Sequence, residues 1–174
     1  MLIKNGLVFT KDFKFEKKDI LIKDGIIEKV DDFIKADNID ENHIVDALGL
    51  KVIPGLTDIH FHGCVGYDFC DGTDEAISAM AKYQLSNGVT NICPATMTLP
   101  LERLKKICSV AANHKSGEGE AVLCGINLEG PFVSPHKCGA QNPEYVHKPD
   151  VEFLQELIKD SKGLTKLVTI APEV

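Results

Sequence analysis

Pro54-Gly55-Leu56-Thr57-Asp58-Ile59-His60-Phe61-His62-Gly63 decides the reading of this chain. Val52-Ile53 enters it, Pro-Gly turns the backbone, and Leu56 to His62 reads as a buried β-strand that Gly63 ends. Residues i and i+2 of a strand point the same way and sit roughly 6.5 Å apart. His60 and His62 therefore share a face, spaced so that two neutral ring nitrogens converge on one metal ion. A His-x-His triplet is common by chance. Its place at the end of an apolar strand gives this one weight.

Two regimes flank that stretch. Residues 1–53 read as a small antiparallel β domain of sandwich type. Leu2 to Phe9 is its first segment, and Asp19 to Val30 is a hairpin turned at Asp24-Gly25, a pair that favours a tight turn. Ile44-Val45-Asp46 and Lys51-Val52-Ile53 add short pieces around Leu48-Gly49. Residues 54–174 alternate strand and helix. Thr73 caps a helix that runs to Asn87-Gly88, and Pro100 opens one with Leu101, Leu104, Ile107, Cys108 and Ala111 on a single stripe. Strands are expected at Val89–Thr96, Ala121–Leu128 and Lys166–Ala171, with a helix over about Asp150–Lys159. Apolar strands separated by helices indicate an α/β fold with a parallel sheet. Polar residues gathered at C-terminal strand ends (His60, His62, Thr96, Glu129, Glu173) fit the habit of a TIM-like (β/α) barrel; a doubly wound sheet obeys a similar rule.

Glu129 ends the third barrel strand within Asn127-Leu128-Glu129-Gly130-Pro131-Phe132. A carboxylate there completes a mixed nitrogen and oxygen site suited to Zn or Fe, against the plainer reading of a cap or solvated Glu. Asp58 either buttresses a histidine ring or is a satisfied polar group. Gly139-Ala140-Gln141-Asn142-Pro143-Glu144 lies in a long loop of the kind that binds ligands or merely covers surface. His43, His114, His136 and His147 need no metal; His114 ends a helix, where a cation suits the dipole. No dinucleotide fingerprint, P-loop, nucleophile elbow or His-Glu-x-x-His helix is present.

Nineteen basic against twenty-six acidic residues give a formal charge of −7, and no basic stripe with interleaved aromatics appears, which argues against nucleic acid as a partner. No apolar run approaches bilayer length, so no membrane partner is expected. Six cysteines without a Cys-x-x-Cys pair, and an opening Met1-Leu2-Ile3-Lys4-Asn5-Gly6 unlike a signal peptide, read as reduced thiols in a cytoplasmic protein.

These motifs together resemble a known family. Pro54 to Gly63 resembles the first-strand signature of the amidohydrolase superfamily. Asn127 to Phe132, Gly139 to Glu144 and Thr169-Ile170-Ala171-Pro172-Glu173 are similar to the N-acetylglucosamine-6-phosphate deacetylases within it. The resemblance implies a metal-dependent hydrolase of amino-sugar catabolism that releases acetate from a phosphorylated amino sugar. It implies Glu129 as principal metal ligand, with His60 and His62 as the pair holding a second metal in two-metal members. Ala140 and Gln141 match the loop that touches the sugar. It further implies Zn (or Fe), one or two ions per site, and a homodimer when full length. Two more histidines, a catalytic aspartate and phosphate-binding residues belong to later barrel strands of the family. Residues 54–174 hold about four βα units, so the expectation is the amino-terminal half of a barrel, with no catalytic base in this half and little turnover alone. A dihydroorotase-like or aminoacylase-like amidohydrolase, and a non-catalytic metal-binding or assembly module, are the alternatives.

Overall fold

The structure, a computed structural model, describes residues 1–174 and divides into two compact units, Met1–Pro54 and Gly55–Val174.

Met1–Pro54 is one mixed five-stranded sheet built on β1 (Leu2–Phe9). β2 (Phe15–Lys23) pairs antiparallel with β1, and β3 (Ile26–Asp31) antiparallel with β2. The β2–β3 turn falls at Asp24-Gly25, whose φ values of 50° and 76° are the positive pair that a two-residue hairpin turn demands. The wholly antiparallel sandwich expected from the sequence is corrected on two counts. β4 (Ile44–Asp46) and β5 (Lys51–Val52) both run parallel to β1, and there is one sheet, not two. Leu48-Gly49 does not reverse the chain. Ala47 N–H donates to Lys4 O, and Leu7 N–H donates to Leu50 O, so β4 and β5 are successive segments laid along the same edge of β1. Leu2, Val8, Ile20, Ile34 and Ala47 form the buried interior. Asp19 is buried beside them, its carboxylate accepting the backbone N–H groups of Asn5 and Ile34 at 2.8 and 2.9 Å, which satisfies a charge that burial would otherwise penalise.

Gly55–Val174 carries the parallel strands. β6 (Leu56–Asp58) pairs with β9 (Val89–Ile92), and β9 pairs with β10 (Val122–Leu123). β11 (Ile126–Glu129) pairs with β12 (Thr165–Thr169). A parallel bridge between Ala95 and Asn127 carries the ladder from the continuation of β9 to β11. Between β6 and β9 lie a two-residue hairpin, β7 (Gly63–Cys64) with β8 (Tyr67–Asp68), and helix α1 (Asp74–Ser86). Helix α2 (Leu101–Asn113) comes after β9, and helix α3 (Val151–Asp160) after β11.

The helix ends obey their sequence signals. Thr73 Oγ1 accepts Ala76 N–H at 3.2 Å, Gly88 takes φ 83° after the α1 C-cap, and Asp150 accepts Phe153 N–H at 3.1 Å. The strands are shorter than the sequence indicates. β6 stops at Asp58 rather than His62, and Gly63 opens the β7–β8 hairpin instead of closing a strand. The expected Ala121–Leu128 strand is interrupted at Cys124-Gly125, beyond which β11 gains β12 on one side while Asn127 stays bridged to the continuation of β9. A Cβ on Gly125 would fall 2.7 Å from the Lys166 side chain and 2.9 Å from Cys93 Sγ, so the interruption falls at a residue whose missing side chain leaves room for both.

The main core joins the stripe of α2 (Leu104, Ile107, Cys108, Ala111) to Ile77 and Met80 of α1, Ile126 and Leu128 of β11, Leu157 of α3, and Phe69. Ile107 is fully buried there. Its truncation to alanine is expected to lower the unfolding free energy by about 2–5 kcal/mol. Val151→Ala, at a residue 70 % exposed, should stay within about 0.5 kcal/mol; urea unfolding monitored by helical circular dichroism compares the two. Burial also pushes the thiols of Cys70 and Cys108 up to about 12 and that of Cys93 to about 11. At pH 8 a thiol of pKa 12 is ionised in about one molecule in ten thousand. These three cysteines should therefore resist iodoacetamide in the folded chain and react fully in urea, as peptide mass spectrometry would read.

Candidate metal centre

The parallel ladder outlasts the regular strands, and this continuation builds the site. Beyond β6 the backbone stays paired with the run that extends β9, with one extra residue on the His60 side: Cys93 N–H donates to Asp58 O and Ala95 N–H to Phe61 O, both at 2.8 Å. On the other side Asn127 N–H donates to Pro94 O and Thr96 N–H to Asn127 O, each at 2.9 Å. His60, His62 and Glu129 are thereby brought to the ends of two segments that flank the β9 run, and their side chains converge on one point.

Nε2 of His60 lies 3.0 Å from Glu129 Oε2, and Nε2 of His62 lies 3.1 Å from the same oxygen. The rings stand edge to face with centroids 5.4 Å apart. All three donor atoms fall within 4.8 Å of one another. The close pairs are not aligned as hydrogen bonds, and Oε2 is a buried acceptor with no hydrogen-bond partner. Bonds of about 2.0–2.2 Å meeting at between a right angle and a tetrahedral angle put ligand atoms roughly 3.0–3.4 Å apart. The donor set thus fits a divalent cation: two imidazole nitrogens and a carboxylate oxygen at ligand spacing, with one oxygen otherwise orphaned. His60 is half exposed while Glu129 is largely covered, so the group opens to solvent on the histidine side.

Glu129 is steered by the turn at Gly130. Gly130 has φ 79°, and a Cβ there would sit 2.0 Å from Thr98 Oγ1; no larger residue allows the chain to turn so sharply against Thr98. Thr96 Oγ1 donates to the Glu129 carbonyl at 3.4 Å.

Asp58 does not buttress a histidine ring. Its carboxylate accepts His60 backbone N–H at 3.0 Å and Gln84 Nε2 at 3.2 Å, which makes it the satisfied polar group of the plainer reading. The group behind His60 is Asn127, whose Nδ2 lies 3.4 Å from the ring Nδ1. Its place two residues before Glu129 was the available signal, since i and i−2 of a strand share a face. Gln141 is buried, and its side-chain oxygen accepts Thr98 N–H while Nε2 faces Met97 Sδ at 3.6 Å. It ties the 133–150 loop to the end of the β9 run, and Ala140 beside it is exposed. His114 does cap α2, but its Nδ1 sits 2.7 Å from Asp74 Oδ1, a specific partner on α1. His147 packs edge-on against Phe132 and Phe153. No helix is long and apolar enough to cross a membrane.

Comparison with known proteins points the same way. No family model matches the chain. The N-acetylglucosamine-6-phosphate deacetylase of Lysinibacillus sphaericus is 31 % identical over 176 residues, a match covering 99 % of this chain and 44 % of that protein. The enzyme of the same name from Bacillus subtilis (strain 168) is 35 % identical over 126 residues, 70 % of this chain and 32 % of the relative. The crystal structure of N-acetyl-D-glucosamine-6-phosphate deacetylase from Mycobacterium smegmatis superposes with a TM-score of 0.83 at 26 % identity, covering 99 % of this chain and 44 % of the other. A variant of that enzyme, in complex with N-acetyl-D-glucosamine-6-phosphate, matches with the same score at 25 % identity. In sequence and in fold, then, the chain is homologous to the N-acetylglucosamine-6-phosphate deacetylases, over a span that amounts to less than half of their length.

Proposed function

We propose that this chain supplies the metal-binding portion of a deacetylase that hydrolyses the N-acetyl amide of N-acetylglucosamine 6-phosphate, giving glucosamine 6-phosphate and acetate in amino-sugar catabolism. The observation that carries the reading is the convergence of His60, His62 and Glu129 on one point at ligand spacing, in a chain homologous to such enzymes. Residues 54–174 are read as the amino-terminal half of the (β/α) barrel, and residues 1–53 as the small β domain that precedes it.

Glu129 supplies the anionic ligand and His60 and His62 two neutral nitrogens, a set that suits Zn and also accommodates Fe, with room for one or two ions. A divalent metal held there polarises an amide carbonyl and supplies hydroxide near neutral pH. Gln141 keeps the loop pinned to Thr98, so the exposed backbone at Gly139-Ala140 is presented to a sugar bound over the site. Ala140 and Gln141 therefore divide the labour: one faces the substrate, the other holds the loop that carries it. Proton transfer to the leaving amine needs a further acid–base group, and none of the three converging residues is free for it. The 174-residue chain alone is accordingly expected to turn over little substrate.

Two measurements test this. The purified chain should bind Zn²⁺ in isothermal titration calorimetry, and Glu129→Gln should weaken that binding by more than about 100-fold, beyond what loss of an outer contact costs. Undiminished binding by the variant would remove Glu129 from the site. A chimera in which these residues replace the matching segment of the Lysinibacillus sphaericus enzyme should release acetate from N-acetylglucosamine 6-phosphate. It should be near-inactive on dihydroorotate and N-acetyl amino acids, while the 174-residue chain is near-inactive on all of them. Preference of the chimera for a cyclic amide or an acylated amino acid would transfer the assignment to another amidohydrolase.

A further inference from the structure

The step of two residues from Cys93 to Ala95 on the β9 run is matched by a step of three, Asp58 to Phe61, on the segment that carries the histidines. The extra residue makes this stretch a β-bulge, a device that re-aims side chains beside binding sites. Backbone groups displaced from a ladder need other partners, and here side chains supply them. His60 N–H donates to Asp58 Oδ1 at 3.0 Å, and the Ile59 carbonyl accepts Asn127 Nδ2 at 3.0 Å. Asp58 is anchored in turn, its Oδ2 accepting Gln84 Nε2 of α1 at 3.2 Å.

The Asn127 contact differs in reach. Its backbone is fixed on the far side of the β9 run, where the N–H donates to Pro94 O and the carbonyl accepts Thr96 N–H, each at 2.9 Å. Its buried side chain crosses that run to the bulge, over a gap of about 9–10 Å between segments two places apart in a sheet. A carbonyl oxygen only accepts, so the contact fixes the NH₂ end of the amide toward Ile59. Glu129 follows Asn127 by two residues, and Ile59 immediately precedes His60. One side chain thus ties the segment that carries the carboxylate to the segment that carries the imidazole. We propose that Asn127 is a positioning residue: its hydrogen bond to the Ile59 carbonyl holds the bulge and so sets where His60 stands against Glu129. The proposal rests on, and deepens, the reading of His60, His62 and Glu129 as a metal centre. His62 lies beyond the bulge and is fixed independently, its carbonyl accepting Phe69 N–H at 2.7 Å while the neighbouring Phe61 O accepts Ala95 N–H. Asn127 therefore acts on one histidine and not on the other.

That selectivity is the test, read by Zn²⁺ titration calorimetry on the 174-residue chain. Asn127→Leu keeps the bulk and removes the donor. It should stay folded by circular dichroism and bind Zn²⁺ about 10- to 100-fold more weakly, the range that groups behind a ligand command. His60→Gln should weaken the wild type strongly but the Leu variant by no more than about twofold, because the two changes remove one interaction. His62→Gln should weaken both chains alike, whereas a purely structural role for Asn127 would leave both histidines with equal effects. Undiminished Zn²⁺ binding by a folded Leu variant, or a full effect of His60→Gln within it, would overturn the proposal. Should Asn127→Leu not fold, Asn127→Ala takes its place in the same cycle. The metal-free wild type gives a second reading: NMR should detect a scalar coupling across the hydrogen bond, from Asn127 Nδ2 to the Ile59 carbonyl carbon, and its absence overturns the proposal as well. If that coupling is present but the wild type binds no Zn²⁺, the metal-centre reading fails and the role assigned to Asn127 falls with it.

Discussion

The site depends on one backbone interaction: the parallel ladder that continues past the ends of β6 and β9. Two hydrogen bonds, from Cys93 N–H to Asp58 O and from Ala95 N–H to Phe61 O, hold the His60–His62 segment extended although it belongs to no regular strand. One extra residue is taken up between Asp58 and Phe61, and both rings still reach Glu129 Oε2. Were this segment to curl into a turn, the imidazoles would diverge and Glu129 would face nothing. Backbone pairing, rather than side-chain packing, makes one group of residues as far apart in the chain as His60 and Glu129.

Behind that ladder, the polar groups close to the site are almost all committed. Asp58 holds the His60 amide and Gln84; Gln141 holds the Thr98 amide; Thr96 holds the Glu129 carbonyl. The polar atoms left without a partner are informative by contrast. Of the five buried side-chain atoms without a partner, His62 Nδ1, Asn127 Oδ1 and Glu129 Oε2 belong to or touch the converging group, while Thr98 Oγ1 and His114 Nε2 lie outside it. Buried polar atoms are normally satisfied, so a concentration of exceptions at one place marks where an external charge or ligand is expected. That concentration, more than any single distance, separates this cluster from an incidental His–Glu contact.

Much of this was legible in the sequence, for identifiable reasons. Helix ends obey short-range rules, so Thr73, Asn87-Gly88, Pro100 and Asp150 marked α1, α2 and α3 to within a residue or two. The α2 stripe was visible because 3.6-residue periodicity survives any tertiary arrangement. Strand limits were not, because they are set by pairing: nothing in Ala121 to Leu128 announces the interruption before Ile126, where β12 joins the ladder. For the same reason β4 and β5 read as short pieces of an antiparallel unit around Leu48-Gly49 when both lie parallel along one edge of β1. At the site, the ligand types and their strand-end positions could be read from residue identity and spacing. Which polar group backs which was not legible, since Asp58 alternates with His60 and Asn127 with Glu129, and only the fold brings Asn127 to the His60 ring.

The number of donors bears on what kind of centre this is. Structural zinc sites close their coordination with four protein ligands, whereas catalytic sites keep a position open for water or substrate. A cation held by these three donors, one of them on a half-exposed ring, would keep at least one position for water, substrate or a further side chain. A single carboxylate among two neutral imidazoles leaves a bound divalent cation with net positive charge, which favours polarisation of a carbonyl oxygen.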